Sequence, residues 1–141
     1  SEFVNHKKIN PLQLGNVDAR RDWSDAEDFV DGVWKMLSQD DPKDYVLSSN
    51  ETHTIREFVE EAFNFAGFGR NECCWEGEAE NEKYFHGDKC LVEINPKFYR
   101  PAEVELLLGD STKALEELGW EPQVNFLQLV KKMVDHDLGG V

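Results

Sequence analysis

Positive charge is scarce in this chain relative to negative charge. Its 15 lysines and arginines face 29 aspartates and glutamates, a formal net charge of -14. A field of that sign repels nucleic acid and anionic membrane surfaces, so neither is expected as a partner. A small anionic ligand stays open, because a few clustered arginines dominate locally. Only five arginines are present: Arg20, Arg21, Arg56, Arg70 and Arg100. Cysteine is thinner still, with Cys73, Cys74 and Cys90. An odd count with an adjacent pair is no disulfide framework, and no Cys/His spacing offers a zinc site. A reducing compartment fits that usage, and a cytoplasmic location is expected. No apolar stretch approaches the roughly 20 residues of a membrane span. The chain also lacks a GxGxxG turn and a Tyr-x-x-x-Lys pair, and His6, His53, His86 and His136 stand in no nucleophile motif. No catalytic residue, cofactor-binding residue or metal site is therefore expected within it.

What is present supports one core. The chain has 141 residues, 40% hydrophobic and 11% aromatic, which are globular values. Leu12-Gln13-Leu14 alternates like a short strand, although no neighbour for it is evident. Ser24 and Glu27 have capping-box spacing, and Phe29, Val30, Val33, Trp34 and Leu37 follow as one buried helical stripe. Tyr45-Val46-Leu47 reads as a buried strand. Thr54 and Glu57 form a second capping box, with Ile55, Phe58, Val59, Ala62 and Phe63 behind it and Gly67 as the stop. Cys74-Trp75 reads as a short strand, 76–89 as an exposed loop with His86 on a solvated turn, and Leu91 to Ile94 as a strand. Two more helices are expected, from about Ser111 to Gly119 and after Asn125. The order is α/β, mostly helical with a few short strands. That is thin for an independent parallel sheet, which needs cover on both faces. A fragment of a larger α/β enzyme is the expectation.

Two segments carry chemistry. In Phe98-Tyr99-Arg100-Pro101-Ala102-Glu103-Val104, proline biases Arg100 toward extended backbone. A guanidinium fork suits a phosphate, and the acceptor-only carboxylate of Glu103 suits a sugar diol. A surface ion pair beside a helix start accounts for the same residues. In Asp18-Ala19-Arg20-Arg21-Asp22-Trp23-Ser24, two arginines stand just before a helix N-terminus, which favours anions. Asp22 can hold the turn, and an ordinary helix entry anchored by Trp23 is the plain alternative. Convergence of the two arginine clusters on one diphosphonucleoside would be more telling than either alone.

Those residues resemble the C-terminal part of the GDP-mannose 4,6-dehydratase family, within the extended short-chain dehydrogenase/reductase (Rossmann-type) superfamily. The matching pieces are 14–23, 33–37, His53 to Phe58, Phe98 to Val104, 109–114, 118–122 and 129–134. The resemblance implies a division into a tag or poorly matched lead-in over 1–11, a substrate-binding part over 12–138 and a tail over 139–141. It implies a parent lyase that converts GDP-mannose to GDP-4-keto-6-deoxymannose, the entry to GDP-fucose. NADP would be bound by an N-terminal Rossmann part that this chain lacks, together with the catalytic residues, so the chain alone is expected to be inactive. Arg21 is expected at the substrate diphosphate, Arg100 at the diphosphate and nucleoside end, and Glu103 on the ribose hydroxyls. The missing Rossmann half, and a dimer or tetramer of the parent, are the implied protein partners. A stand-alone GDP-sugar-binding or oligomerisation module, or part of a related GDP-sugar epimerase or reductase, are the alternatives.

Overall fold

A computed structural model describes residues 10–99 and 107–139. In chain order the elements are β1 (Leu12–Leu14), β2 (Arg20–Arg21), α1 (Ala26–Leu37), β3 (His53–Thr54), α2 (Ile55–Phe65), β4 (Cys73–Glu76), β5 (Lys83–His86), β6 (Lys89–Ile94), α3 (Thr112–Leu118) and α4 (Phe126–Gly139). Helices of 7 to 14 residues outweigh strands of 2 to 6, as expected of a mostly helical α/β chain. The strands form a four-stranded sheet, in the order β1-β6-β5-β4, and a separate pair, β2-β3. The described residues group into two compact units, 10–19, 54–99 and 130–139 in one and 20–53 and 107–129 in the other.

The first unit is built on the four-stranded sheet. β1 has a neighbour after all. It pairs parallel with β6, Leu12 opposite Val92 and Leu14 opposite Ile94, a contact about 80 residues away that local pattern does not reveal. The expected loop over 76–89 contains a strand. β5 pairs antiparallel with β4 and β6, and Gly87-Asp88 is the two-residue turn between β5 and β6. A register shift between Tyr84 and Phe85 sets Leu91 beyond the regular pairing, and the neighbours Leu91 and Val92 are both fully buried. α2 lays Ile55, Val59 and Phe63 on the same core as Tyr84, Leu91 and Val92. Thr54 caps it as the spacing predicts. Its side chain accepts from Glu57 N, and the Glu57 carboxylate accepts from Thr54 N. His86 is half-buried, 3.0 Å from Glu72 and edge-on to Phe68, rather than on a free turn.

The second unit departs further from expectation. The N-cap of α1 is Asp25, which accepts from Glu27 N at 2.8 Å, while Ser24 donates to Asp22. The apolar stripe of α1 is not buried: Val30, Trp34 and Leu37 are 69%, 71% and 77% exposed. The inward face carries Asp28 and Gly32 instead. The Asp28 carboxylate accepts from Gln123 N and Val124 N, both at 3.0 Å, and its carbonyl accepts from Trp120 Nε1 at 2.8 Å. A Cβ at Gly32 would stand 2.5 Å from Leu47 Cδ1 and 3.0 Å from Trp120 Nε1, so glycine is what lets both side chains reach the helix. Trp120 is fully buried and is the centre of this unit. Residues 44–48 run outside any strand of the described residues, with Val46 exposed. α3 stops at Gly119, whose φ of 62° is left-handed. α4 starts as expected, with Gln128 N donating to Asn125 Oδ1, and its first turn stacks Phe126 on His53 at 3.9 Å between centroids.

Candidate functional site

Arg21 ends β2 and is half-buried, with a guanidinium N–H donating to the Arg20 carbonyl at 2.7 Å. It lines a cleft of about 290 Å³ with Asp22, Phe29, Val46, Leu47, Ser48, Leu107, Leu108 and Gly109. Sequence brings these together through one carboxylate and one glycine. Asp22 accepts from Ser49 N at 3.0 and 3.1 Å and from Ser49 Oγ at 2.7 Å, tying the 48–49 segment to the start of the Trp23 turn. Gly109 lies against Ser48, where a Cβ would come within 2.4 Å of the serine Cβ, so only glycine lets residues 107–109 close that wall. Among the described residues, Arg21 and Asp22 are the charged residues of the lining, and the Asp22 carboxylate oxygens accept from the Ser49 donors. The cleft therefore presents a guanidinium beside apolar walls, an arrangement that takes an anionic group with an apolar or stacked neighbour.

Arg20 does not share this cleft lining. Its guanidinium donates to Thr52 Oγ1 at 3.0 Å and to the Thr52 carbonyl at 2.6 Å. Arg20 is held by Thr52, and Arg21 stands on the cleft wall. Arg100 and Glu103 lie outside the described residues.

Sequence reasoning passed over Arg56. It sits in α2 and gives parallel hydrogen bonds to the Glu82 carboxylate at 2.7 and 2.8 Å and one to Asp18 at 3.0 Å, with Trp75 beneath its guanidinium at 4.6 Å. The Glu82 hydrogen bond foremost, with Asp18 added, raises its already high pKa, outweighing partial burial. Two carboxylates and a ring occupy this arginine, so it ties the sheet side of the first unit together. The signal for it was a lone Arg between two capping-box residues, which reads equally as a surface charge. Glu82, which the acidic run 76–82 placed in a solvated loop, is one of those two partners.

Cys73 contributes to the core cluster and bonds Tyr84. Burial pushes the Cys73 thiol pKa up, and burial followed by the Cys73 hydrogen bond pushes the Tyr84 phenol up. Cys73, Cys74 and Cys90 are free thiols. Among the described residues, no group of three or more His, Cys, Asp or Glu could hold a metal ion. None of the helices described there is long and apolar enough to cross a membrane. Gly67-Phe68-Gly69 does not form a dinucleotide-binding turn. Gly67-Phe68-Gly69 follows the end of α2, with Gly67 at φ +94°, and leads into a three-residue 3-10 turn rather than from a strand into an α-helix.

A family model described as GDP-mannose 4,6 dehydratase matches residues 3–133. The chain belongs to that family. Among its relatives, the GDP-mannose 4,6 dehydratase of Drosophila melanogaster is 42% identical over 137 residues, covering 96% of this chain and 34% of the relative. The Homo sapiens enzyme of the same name is 45% identical over 133 residues, covering 93% and 35%. The chain thus spans about a third of the length of the relatives it matches. Its α/β fold matches part of Rossmann-type enzymes of the short-chain dehydrogenase/reductase and epimerase class. RMD from Pseudomonas aeruginosa, solved with NADPH, matches 95% of this chain and 38% of its own at a TM-score of 0.69 and 21% identity. A UDP-glucose 4-epimerase from Thermotoga maritima, solved with UDP-glucose, matches 91% and 35% at 0.68 and 21%. At that identity the likeness is one of fold.

Proposed function

We propose that this chain is the substrate-binding, C-terminal portion of a GDP-mannose 4,6-dehydratase. It works with the remaining two thirds of the enzyme to convert GDP-mannose to GDP-4-keto-6-deoxymannose, toward GDP-fucose. The observation that carries the reading is the family match across 3–133. The cleft supports it, because Arg21 is a cation on its wall and the neighbouring Asp22 carboxylate is already engaged. Arg21 takes the diphosphate in this reading, and Arg100 and Glu103 take the nucleoside end and the ribose hydroxyls. NADP belongs to the remaining portion, where it supplies a hydride acceptor and donor. Arg21 binds and orients, Asp22 holds the wall in place, and the apolar lining excludes water. The chain alone is not a catalyst in this reading. Oligomerisation of the parent and a cytoplasmic location go with it.

Calorimetry with GDP-mannose, on the chain alone and on the chain combined with the rest of the enzyme, tests the assignment. Arg21→Ala is expected to weaken binding at least tenfold in the combined protein, as loss of a charge-assisted contact implies, whereas Arg20→Ala leaves a smaller effect through the fold. No binding in either setting, with folding confirmed by circular dichroism, would contradict it. Binding by the chain alone at full affinity would favour a stand-alone module.

A further inference from the structure

Asn50 has a backbone that few residues with a side chain adopt. Its φ is 60°, in the left-handed region. Asparagine tolerates that region better than most, yet glycine takes it at no steric cost. Glycine would therefore serve if the turn alone mattered, so the side chain must be what the position uses. The Asn50 amide grips Ser111, 61 residues away in sequence, at two points. Its Oδ1 accepts from Ser111 N at 2.9 Å, and its Nδ2 donates to Ser111 Oγ at 2.7 Å. Ser48 Oγ donates to the same Oδ1 at 3.2 Å. Both hydroxyls are buried, Ser48 at 4% and Ser111 at 3% exposure, where a hydroxyl without a partner is costly. Ser111 stands at the N-cap of α3, but its hydroxyl accepts from Asn50 instead of capping that helix.

These bonds complete a bridge around the cleft. Asp22, next to Arg21, holds Ser49 through three contacts. Ser49 adjoins Asn50, and Asn50 holds Ser111, two residues beyond the Gly109 that closes against Ser48. The wall formed by Leu107, Leu108 and Gly109 is thus tied to the Arg21 wall through one asparagine side chain. We propose that Asn50 is a positioning residue, whose two-point grip on Ser111 sets the 107–109 wall and thereby how tightly the Arg21 cleft holds GDP-mannose. The inference rests on the reading of the cleft as a substrate site, and it names the residue that fixes the shape of that site. Asn50 itself is not in the cleft lining, so it acts through the wall and not on the ligand. A binding wall displaced by a fraction of an ångström weakens every contact made from it.

The test takes Asn50→Gly, which accepts the left-handed turn and deletes the side-chain grip. In the isolated chain, hydrogen exchange at the Ser111 amide should quicken at least tenfold, because its acceptor is gone. Turnover is read in a chimera in which this chain replaces the matching segment of the Drosophila melanogaster relative. There KM for GDP-mannose should rise at least threefold with kcat within twofold of the parent, since binding is loosened and no reacting group is touched. Ser111→Ala should raise KM in the same direction, and Asn50→Gly/Ser111→Ala should be no worse than Asn50→Gly alone, as one shared interaction requires. Thr54→Ala, which removes the α2 cap in the other unit, should leave KM unchanged and so controls for general loss of stability. Should Asn50→Gly fail to fold, Ser111→Ala decides by the same KM, and in a chimera without turnover the calorimetric Kd takes the place of KM. Unchanged Ser111 exchange in Asn50→Gly overturns the inference. Faster exchange with KM unchanged, while Arg21→Ala raises KM, also overturns it and leaves the cleft as the substrate site. KM unchanged in both Asn50→Gly and Arg21→Ala removes the substrate site itself, and the role of Asn50 with it.

Discussion

Helix α2 sets Ile55, Val59 and Phe63 of its apolar stripe on the sheet core, with Val59 buried, whereas α1 turns Val30, Trp34 and Leu37 of its own stripe to solvent. Both open on a side-chain cap, both carry acidic residues in the first turn, and both space apolar residues three and four apart. The difference lies in what the rest of the chain supplies. For α2 the sheet supplies Tyr84, Leu91 and Val92. For α1 it supplies Trp120 and Leu47, which reach the opposite side of the helix through Gly32. An amphipathic pattern marks an apolar face and does not say which part of the chain packs on it.

The largest effect that tests this contrast is in the cores. Trp120→Ala should cost about 3–5 kcal/mol and Leu91→Ala about 2–5 kcal/mol, because both side chains are fully buried and leave cavities. Urea unfolding of each variant measures this, and a loss below ~1 kcal/mol would remove that residue from its core. Gly32→Val comes next. Added bulk against Leu47 and Trp120 should cost about 1–3 kcal/mol, enough to show in the same titration. Thr54→Ala should cost about 1 kcal/mol through the lost α2 cap, and rescue by Ser would confirm the cap as the cause. Val30→Glu/Trp34→Glu should lie within about 0.5 kcal/mol of wild type in the isolated chain, as befits exposed positions.

Alkaline pH sharpens the sheet side of the comparison. Burial first, then the bond to Cys73, holds the Tyr84 phenol well above its ordinary value of 10.0. A folded-state pKa above the unfolded one gives stability that is intact below the unfolded value and lost as pH rises from there through the folded value. The chain should therefore lose stability as pH rises past about 10, more steeply than Tyr84→Phe does. Unfolding midpoints across that range, with tyrosinate absorbance as the monitor, check it. Equal slopes would mean that Tyr84 ionises as freely as an exposed tyrosine.

Local signals were the legible ones. The Thr54–Glu57 box, the Gly119 stop and the Asn125 cap depend on residues within a turn of one another, and each is where spacing put it. The β1–β6 pairing and the Arg56–Glu82 bond join segments far apart in sequence, and no local period marks them. The Ser24 cap was displaced because Asp22 takes the serine hydroxyl, leaving Asp25 to start α1. β5 was hidden by acidic neighbours, although Tyr84-Phe85 before a Gly-Asp turn was a usable hairpin signal. Of the candidate site, Arg21 is on a cleft wall, Arg20 is held by Thr52, and Arg100 and Glu103 lie outside the described residues.

Amide hydrogen exchange over α1 and α2, in the isolated chain and in a chimera in which this chain replaces the matching segment of the Drosophila melanogaster relative, goes most directly to the contrast between the two helices. Protection of α1 over residues 29–37 should rise at least tenfold on joining, while α2 over residues 57–65 keeps the protection that its own sheet confers. Unchanged exchange in α1, in a chimera that is folded, would contradict the account.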